Sequence, residues 1–312
     1  MPEHFLGIDT SNYRTSAAVF NAQSGLWQNE GGLLSVPEGA IGLRQSDALF
    51  QHTVRLHEKI KALPRGEVCA IGVSTRPRAA EGSYMPCFLA GESVARSAAY
   101  LLSVPLYTLS HQQGHIAAAA LSAGCLRLLD STFLAWHLSG GTSELLLVRP
   151  GLDGLPDCVC IGGTTDLAAG QLIDRAGALL GLSFPAGAAL DGLALGALPE
   201  EGYSVKVKDS RFSLSGMQNQ VENRHKTAGD AQTARFTLET VACAVVQATR
   251  QARQRFDYPI LCAGGVMASE IIRRALRAAF GQAVHFAEPV LSGDNAVGAA
   301  VLAARLYERN KQ

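Results

Sequence analysis

Residues 5–20 and 133–148 share one layout, an apolar run, a tip of small residues and an apolar return. In the first copy Phe5-Leu6-Gly7-Ile8 runs into Asp9, Thr10 and Ser11, and residues 15–20 come back. In the second, residues 133–138 run into Ser139-Gly140-Gly141-Thr142, and residues 143–148 return. Short apolar runs joined by Gly, Ser and Thr read as β-hairpins. A recurring supersecondary unit points to a duplicated architecture. Buried-type strands at 68–73 and 258–266, one per half, extend the parallel between the halves. The pattern predicts an α/β fold of two similar lobes with a nucleotide in the cleft between them. Backbone N–H groups and small hydroxyls at such tips can cradle a phosphate, which makes Asp9 and Ser11 candidate binding residues.

Between the hairpins, apolar spacing predicts a helix over 39–63 and an alanine-rich helix over 89–102, with a strand at 104–109. Residues 75–82 read as a loop in which Arg76 and Arg78 either bind an anion or are simply solvated. A helix beginning near Asp166 would bring Gly170 and Asp174 to one face, where the Asp174 carboxylate can accept ribose hydroxyls. The glycines of 180–187 permit close backbone approach, Asp191 follows them, and 212–217 reads as a short strand and turn before helices that run to Phe256.

His111 and His115 stand four apart and lead into an alanine-rich helix. Positions i and i+4 share a helix face, so the two imidazoles either hold one metal ion or are two ordinary histidines. Asp294, in the turn-rich segment 291–296 ahead of another alanine-rich helix, is the natural third ligand. Two imidazoles and a carboxylate suit Fe, Zn or Mn and leave positions open for water or substrate.

Composition excludes several classes. Hydrophobic residues make up 47% and charged residues 17% of 312, the balance of a folded globular chain. With 27 basic and 27 acidic residues there is no net charge, so nucleic-acid binding would need a local patch. The arginines at 250, 253 and 255 and at 273, 274 and 277 could form strips, but few aromatics interleave with them. The seven cysteines contain no CxxC pair, Cys158 and Cys160 being the nearest, and are expected to be reduced. Neither a signal segment nor an apolar run of membrane-spanning length is read, so a soluble cytoplasmic protein with no membrane contact is expected.

In order, GIDTS at 7–11, HQQGH at 111–115, LSGG at 138–141, DLAAGQLID at 166–174, LLGLSFPAG at 179–187, FSLSG at 212–216, AGGV at 263–266 and SGDNA at 292–296 resemble one family. It is the family that makes threonylcarbamoyladenosine in tRNA, formerly the M22 glycoproteases, with a duplicated actin and sugar-kinase type ATPase fold. The resemblance implies a first lobe over 1–130, completed by 291–312, and a second lobe over 131–290. It places His111, His115 and Asp294 at the metal-ligand positions, with Fe or Zn as the expected ion. It sets His137, Leu138, Ser139, Gly140 and Gly141 against the phosphates, and Asp174, Gly187 and Asp191 against ribose and base. Gly265 and Ser269 fall at further nucleotide-facing positions. The implied donor is threonylcarbamoyl-AMP, with an ATP- or AMP-type nucleotide in the site, and the acceptor is a tRNA adenine. Partner subunits of the same pathway are also implied.

Several positions depart from the family pattern. Ser110 replaces a histidine, Gln113 and Leu167 replace acids, and Ser269 replaces an asparagine expected to touch the nucleotide. Thr142-Ser143-Glu144 stands for His-Thr-Gln, and the glycine-rich loop after the third strand has become 76–80, RPRAA. The metal triad survives while its surroundings change, as in a paralogue with another acceptor or acyl group. Alternatives are a metal- and nucleotide-binding module without turnover and, last, a metallopeptidase. HQQGH lacks the glutamate that a zinc-peptidase helix carries after its first histidine.

Overall fold

A computed structural model describes residues 4–11, 13–36 and 43–311. Its strands are β1 (His4–Ser11), β2 (Arg14–Asn21), β3 (Trp27–Leu33), β4 (Val68–Arg76), β5 (Leu106–Ser110), β6 (Phe133–Leu138), β7 (Ser143–Pro150), β8 (Pro156–Thr164), β9 (Val207–Lys208), β10 (Arg211–Phe212), β11 (Ile260–Ala263) and β12 (Val284–Phe286). The α-helices are α1 (Gln45–Ala62), α2 (Phe88–Leu102), α3 (His111–Ser122), α4 (Ala169–Leu179), α5 (Gly187–Leu195), α6 (Met217–Arg253), α7 (Glu270–Phe280) and α8 (Val297–Lys311). Two compact units result. One comprises Met1–Asp130, Arg149–Cys158 and Gly293–Gln312, the other Ser131–Val148 and Val159–Ser292.

The first unit carries a five-stranded sheet in the order β3-β2-β1-β4-β5. β1 pairs antiparallel with β2, setting Asp9 opposite Ser16, and parallel with β4, setting Ile8 opposite Val73. Every β1 residue after His4 is buried, because α2 and α8 both pack on the strand and water is excluded from its two faces. The approach of α8 depends on glycine. A Cβ on Gly7 would lie 2.1 Å from the Ala296 carbonyl oxygen, one on Gly72 2.1 Å from that of Ala299, and one on Gly298 1.8 Å from that of Gly114. These gaps are far inside van der Waals contact, so only glycine lets the α8 backbone rest on β1, β4 and α3.

In the second unit the seven-stranded sheet runs β12-β11-β6-β7-β8-β10-β9. β6 pairs antiparallel with β7 and parallel with β11, which pairs parallel with β12. The order β7-β6-β11-β12 thus repeats β2-β1-β4-β5, the duplication expected from the two hairpins. Phe133, Leu134 and Trp136 are fully buried in β6, each contributing about 1.5–3 kcal/mol by burial. The Trp136 indole N–H is satisfied inside the core, donating to Thr249 Oγ1 on α6 at 2.8 Å. α6 is two helical runs joined at Gly229, whose φ of 71° breaks the helical geometry.

Local differences from the sequence reading have physical causes. The strand expected at 68–73 continues to Arg76, because β5 offers a partner as far as Ser110. The helix expected near Asp166 starts at Ala169, because the Asp166 carboxylate turns back onto the Leu167 and Leu214 amides and the Ser213 and Ser215 hydroxyls. Of the helix expected over 39–63, residues 39–42 lie outside the described residues, as does Asn12 of the first turn.

Candidate functional site

α3 begins with a capping box. The Ser110 hydroxyl accepts from the Gln113 amide, and the Gln113 side chain accepts from the Ser110 amide at 2.8 Å. The Gln113 amide group also donates to the Pro156 carbonyl at 2.9 Å, a bond that a glutamate at this position has no proton to make. With its start fixed in this way, α3 stacks His111 and His115 one turn apart, their ring centroids at 4.3 Å. Asp294 lies just before α8, in a turn held by Asn295, whose Oδ1 accepts from the Val297 amide, and by Asn29, which accepts from the Ala296 amide.

The three expected ligands converge. His115 Nε2 lies 2.9 Å from His111 Nε2 and 3.1 Å from Asp294 Oδ1, and His111 Nε2 lies 3.4 Å from the same oxygen. Donors about 2.1 Å from one ion and roughly 90–110° apart are about 3.0–3.4 Å from each other, so the spacings fit a shared divalent ion. Behind them Asp9 Oδ2 receives His111 Nδ1 at 2.8 Å, and Asp9 Oδ1 accepts from the Ser11 amide at 3.0 Å. A carboxylate on the far nitrogen fixes the imidazole tautomer and points Nε2 toward an ion. The donor set and its backing therefore fit a metal.

Charge couples the group. Burial opposes a proton on His111, but the carboxylates of Asp9 and Asp294 outweigh it and raise the imidazolium pKa to about 10. Burial also opposes the charge on Asp294, yet the two histidines hold its carboxyl far below the usual range. Asp9 is likewise lowered, its burial offset chiefly by His111. Under the hairpin the His52 ring is fully buried, with Nδ1 2.8 Å from Thr15 Oγ1, and burial pushes its pKa down to about 4.

The second unit holds a cavity of about 480 Å³ lined by Gly140, Gly170, Asp174, Gly187, Asp191, Gly265 and Ser269 together with apolar side chains. Seven residues expected from the sequence or the resemblance thus gather in one place. Asp174 Oδ1 accepts from the Ala186 amide at 2.9 Å. Both Asp191 oxygens are already engaged, Oδ1 by the Ser269 hydroxyl at 2.5 Å and Oδ2 by the Glu270 amide at 3.1 Å. Ser269 caps α7 through the Ile272 amide. Among the other expected residues, Leu138 is core, Ser139 closes its own turn by accepting from the Thr142 amide, and His137 and Gly141 do not line the cavity. Asp9 faces His111 rather than an open hairpin tip. That link joins residues 102 positions apart and has no local sequence signal.

Five of the six arginines of the two strips are locally engaged. Arg253 pairs with Asp257 and Arg274 with Glu270. Arg273 donates to the carbonyls of Met267 and Ala287, while Arg255 and Arg277 lie over the rings of Phe256 and Phe286.

Residues 46–301 match the family model TsaD, tRNA N6-adenosine threonylcarbamoyltransferase. The protein of that name from Carboxydothermus hydrogenoformans is 30% identical over 339 residues, covering 99% of this chain and 93% of its own. Its namesake in Thermomicrobium roseum is 29% identical, covering 97% and 92%. Among solved structures, HypF of T. kodakarensis aligns with a TM-score of 0.61 at 14% identity, over 99% of this chain and 48% of that one. A ROK family glucokinase from Streptomyces griseus aligns with a TM-score of 0.53 at 14% identity, over 97% and 99%. These structural likenesses establish an actin and sugar-kinase type fold.

Proposed function

The chain belongs to the tRNA N6-adenosine threonylcarbamoyltransferase family, transferases acting on tRNA, and from that premise we propose a metal-dependent transfer from an acyl-adenylate donor. The transferred group is threonylcarbamoyl or a related carbamoyl-type group, and the acceptor is the adenosine of tRNA or a diverged substitute. The observation that carries the reading is the convergence of His111, His115 and Asp294 at 2.9–3.4 Å, with Asp9 behind His111.

Those three residues would hold the ion, Fe or Zn. Bound there, it would supply Lewis-acid polarisation of a carbamoyl-type group. Asp9 retains the proton of His111 on Nδ1, so that Nε2 stays a lone-pair donor. The cavity of the second unit takes a nucleotide. Asp174 offers Oδ2 to a ribose hydroxyl while Oδ1 keeps the loop at Ala186. The backbone at Gly140 and Gly265 can approach the ligand closely, because no Cβ intervenes. No protein nucleophile is needed, since positioning and electrostatic stabilisation lower the barrier when a substrate amine attacks the carbamoyl carbon, the C–O bond to the phosphate breaks, and AMP and the amine proton leave. Partner subunits of the same modification pathway belong to this proposal through the family resemblance. Among the described residues no helix is long and apolar enough to cross a membrane.

A module that binds metal and nucleotide without turnover is the second reading. It is favoured by Asp191, expected against the ligand, whose two oxygens are instead spent on Ser269 and α7. Metal content of the purified protein and of His111→Ala, with AMP calorimetry on both and a tRNA acceptor assay with threonylcarbamoyl-AMP, separates these outcomes. Stoichiometric metal lost in the variant together with acceptor modification supports transfer. Metal and AMP binding without modification supports the module. No metal in the wild type sinks the metal-assisted mechanism.

A further inference from the structure

We infer that Phe184 is the stacking surface for the nucleobase in the cavity of the second unit, an inference that rests on the nucleotide reading of that cavity. Phe184 is 84% exposed, yet it sits in a loop that is closely tied down. The Leu182 amide donates to the Gly177 carbonyl at 2.8 Å and the Ala186 amide to Asp174 at 2.9 Å. The loop also lies against α4 so closely that a Cβ on Gly177 would fall 2.1 Å from the Ala186 Cβ. These ties hold the Phe184 backbone on the cavity while its ring stays uncovered.

An isolated exposed apolar side chain needs no explanation. Phe184 differs because it and Pro185 are themselves cavity-lining residues, continuous with Ile173, Leu238 and Val266. Among the described residues no lysine, arginine or histidine lines the cavity, and both of its ionisable side chains, Asp174 and Asp191, are acids. A phosphate would meet only like charge there, so the flat, uncharged part of a nucleotide is the part that fits. At about 480 Å³ the cavity is within the range of small-molecule sites. Among the described residues Phe184 is the single aromatic that lines the cavity, so it is the one that can offer a π-face to a base. Stacking is tolerant of base identity. Phe184 therefore supplies affinity for a base as such, and discrimination among bases falls to the polar atoms around it.

The test is AMP binding by calorimetry to the full chain and its Phe184→Ala, Phe184→Leu and Phe184→Trp variants, with melting temperatures and, for the Trp variant, emission during titration. Because the side chain is exposed, all variants should melt like the wild type. Stacking predicts that Phe184→Ala binds AMP roughly ten- to hundred-fold more weakly. Phe184→Leu, apolar but without a π-face, should recover little, whereas Phe184→Trp should bind near wild-type strength with emission quenched by AMP. Wild-type protein that binds AMP as tightly as Phe184→Ala, or a Trp variant whose emission AMP leaves unchanged, overturns the inference and leaves the nucleotide reading standing. Wild-type protein that fails to bind AMP overturns both.

Discussion

The candidate metal centre of the first unit is made of charged and polar groups that satisfy one another, whereas the cavity of the second unit is walled mainly by apolar side chains, Phe184 among them, and glycine backbone. At the centre, Asp9, His111, His115 and Asp294 meet within hydrogen-bonding distance, and the ionisation of Asp9, His111 and Asp294 depends on their neighbours. In the cavity, two carboxylates stand apart, one fully engaged with α7 and the other holding a loop. A coupled cluster transmits any change to all its members. An apolar hollow absorbs substitutions locally, and its energetics follow the area covered by a ligand. Small changes should therefore be costly around the cluster and mild at those positions of the second unit that face open space.

The sharpest way to break that comparison is with paired glycine substitutions. Gly298→Ala puts a methyl group 1.8 Å from the Gly114 carbonyl, forcing α8 and α3 apart and carrying Asp294 away from the histidines. A loss of more than about 3 kcal/mol of stability, measured by denaturation, and loss of bound metal are expected. Its counterpart Gly192→Ala on α5 meets open space, and should leave stability unchanged or raise it by up to about 1 kcal/mol. Equal effects would refute the contrast.

Acidity comes next. An unfolded histidine titrates near 6.5, and folded His52 near 4, so between those values the unfolded chain takes up a proton that the folded one refuses. Stability then falls as pH drops through that window, by up to about 3 kcal/mol. His111 runs the other way. Its folded value of about 10 makes its contribution complete below 6.5 and lost as pH rises toward 10. Metal-free protein should be most stable around pH 6.5 in denaturant titrations, and a profile flat from pH 4.5 to 9.5 would remove both histidines from the account.

Smaller effects sharpen the roles. Asp9→Asn keeps the shape but removes the charge behind His111, so metal affinity should fall roughly ten- to hundred-fold in chelator competition. AMP binding should not change, because Asp9 does not line the cavity. Asp174→Asn should do the reverse, weakening AMP binding by about ten-fold in calorimetry while bound metal stays stoichiometric.

Much of this architecture was legible in the chain. The hairpins at 5–20 and 133–148 are visible because strands in buried sheets need unbroken apolar runs, and β1, β2, β6 and β7 fall there. The histidine pair was legible because helical spacing alone stacks i and i+4. β8 was missed because PDCVCIGGT mixes polar, cysteine and glycine residues, and only pairing within the sheet makes it a strand. α5 was missed for a similar reason, since GAALDGLAL carries two glycines and forms a helix against α6.

What the sequence determined by itself was local, namely strand and helix periodicities and the chemical types of the ligands. Only the tertiary structure decided that Asp9 serves His111 rather than a phosphate, and that Ser269 occupies Asp191. Such partners are 102 and 78 positions apart, and their meeting depends on sheet register and on how closely α8 and α7 pack. Periodicity is set by each residue's own backbone, whereas contact between distant side chains is set by the sum of all the packing that intervenes.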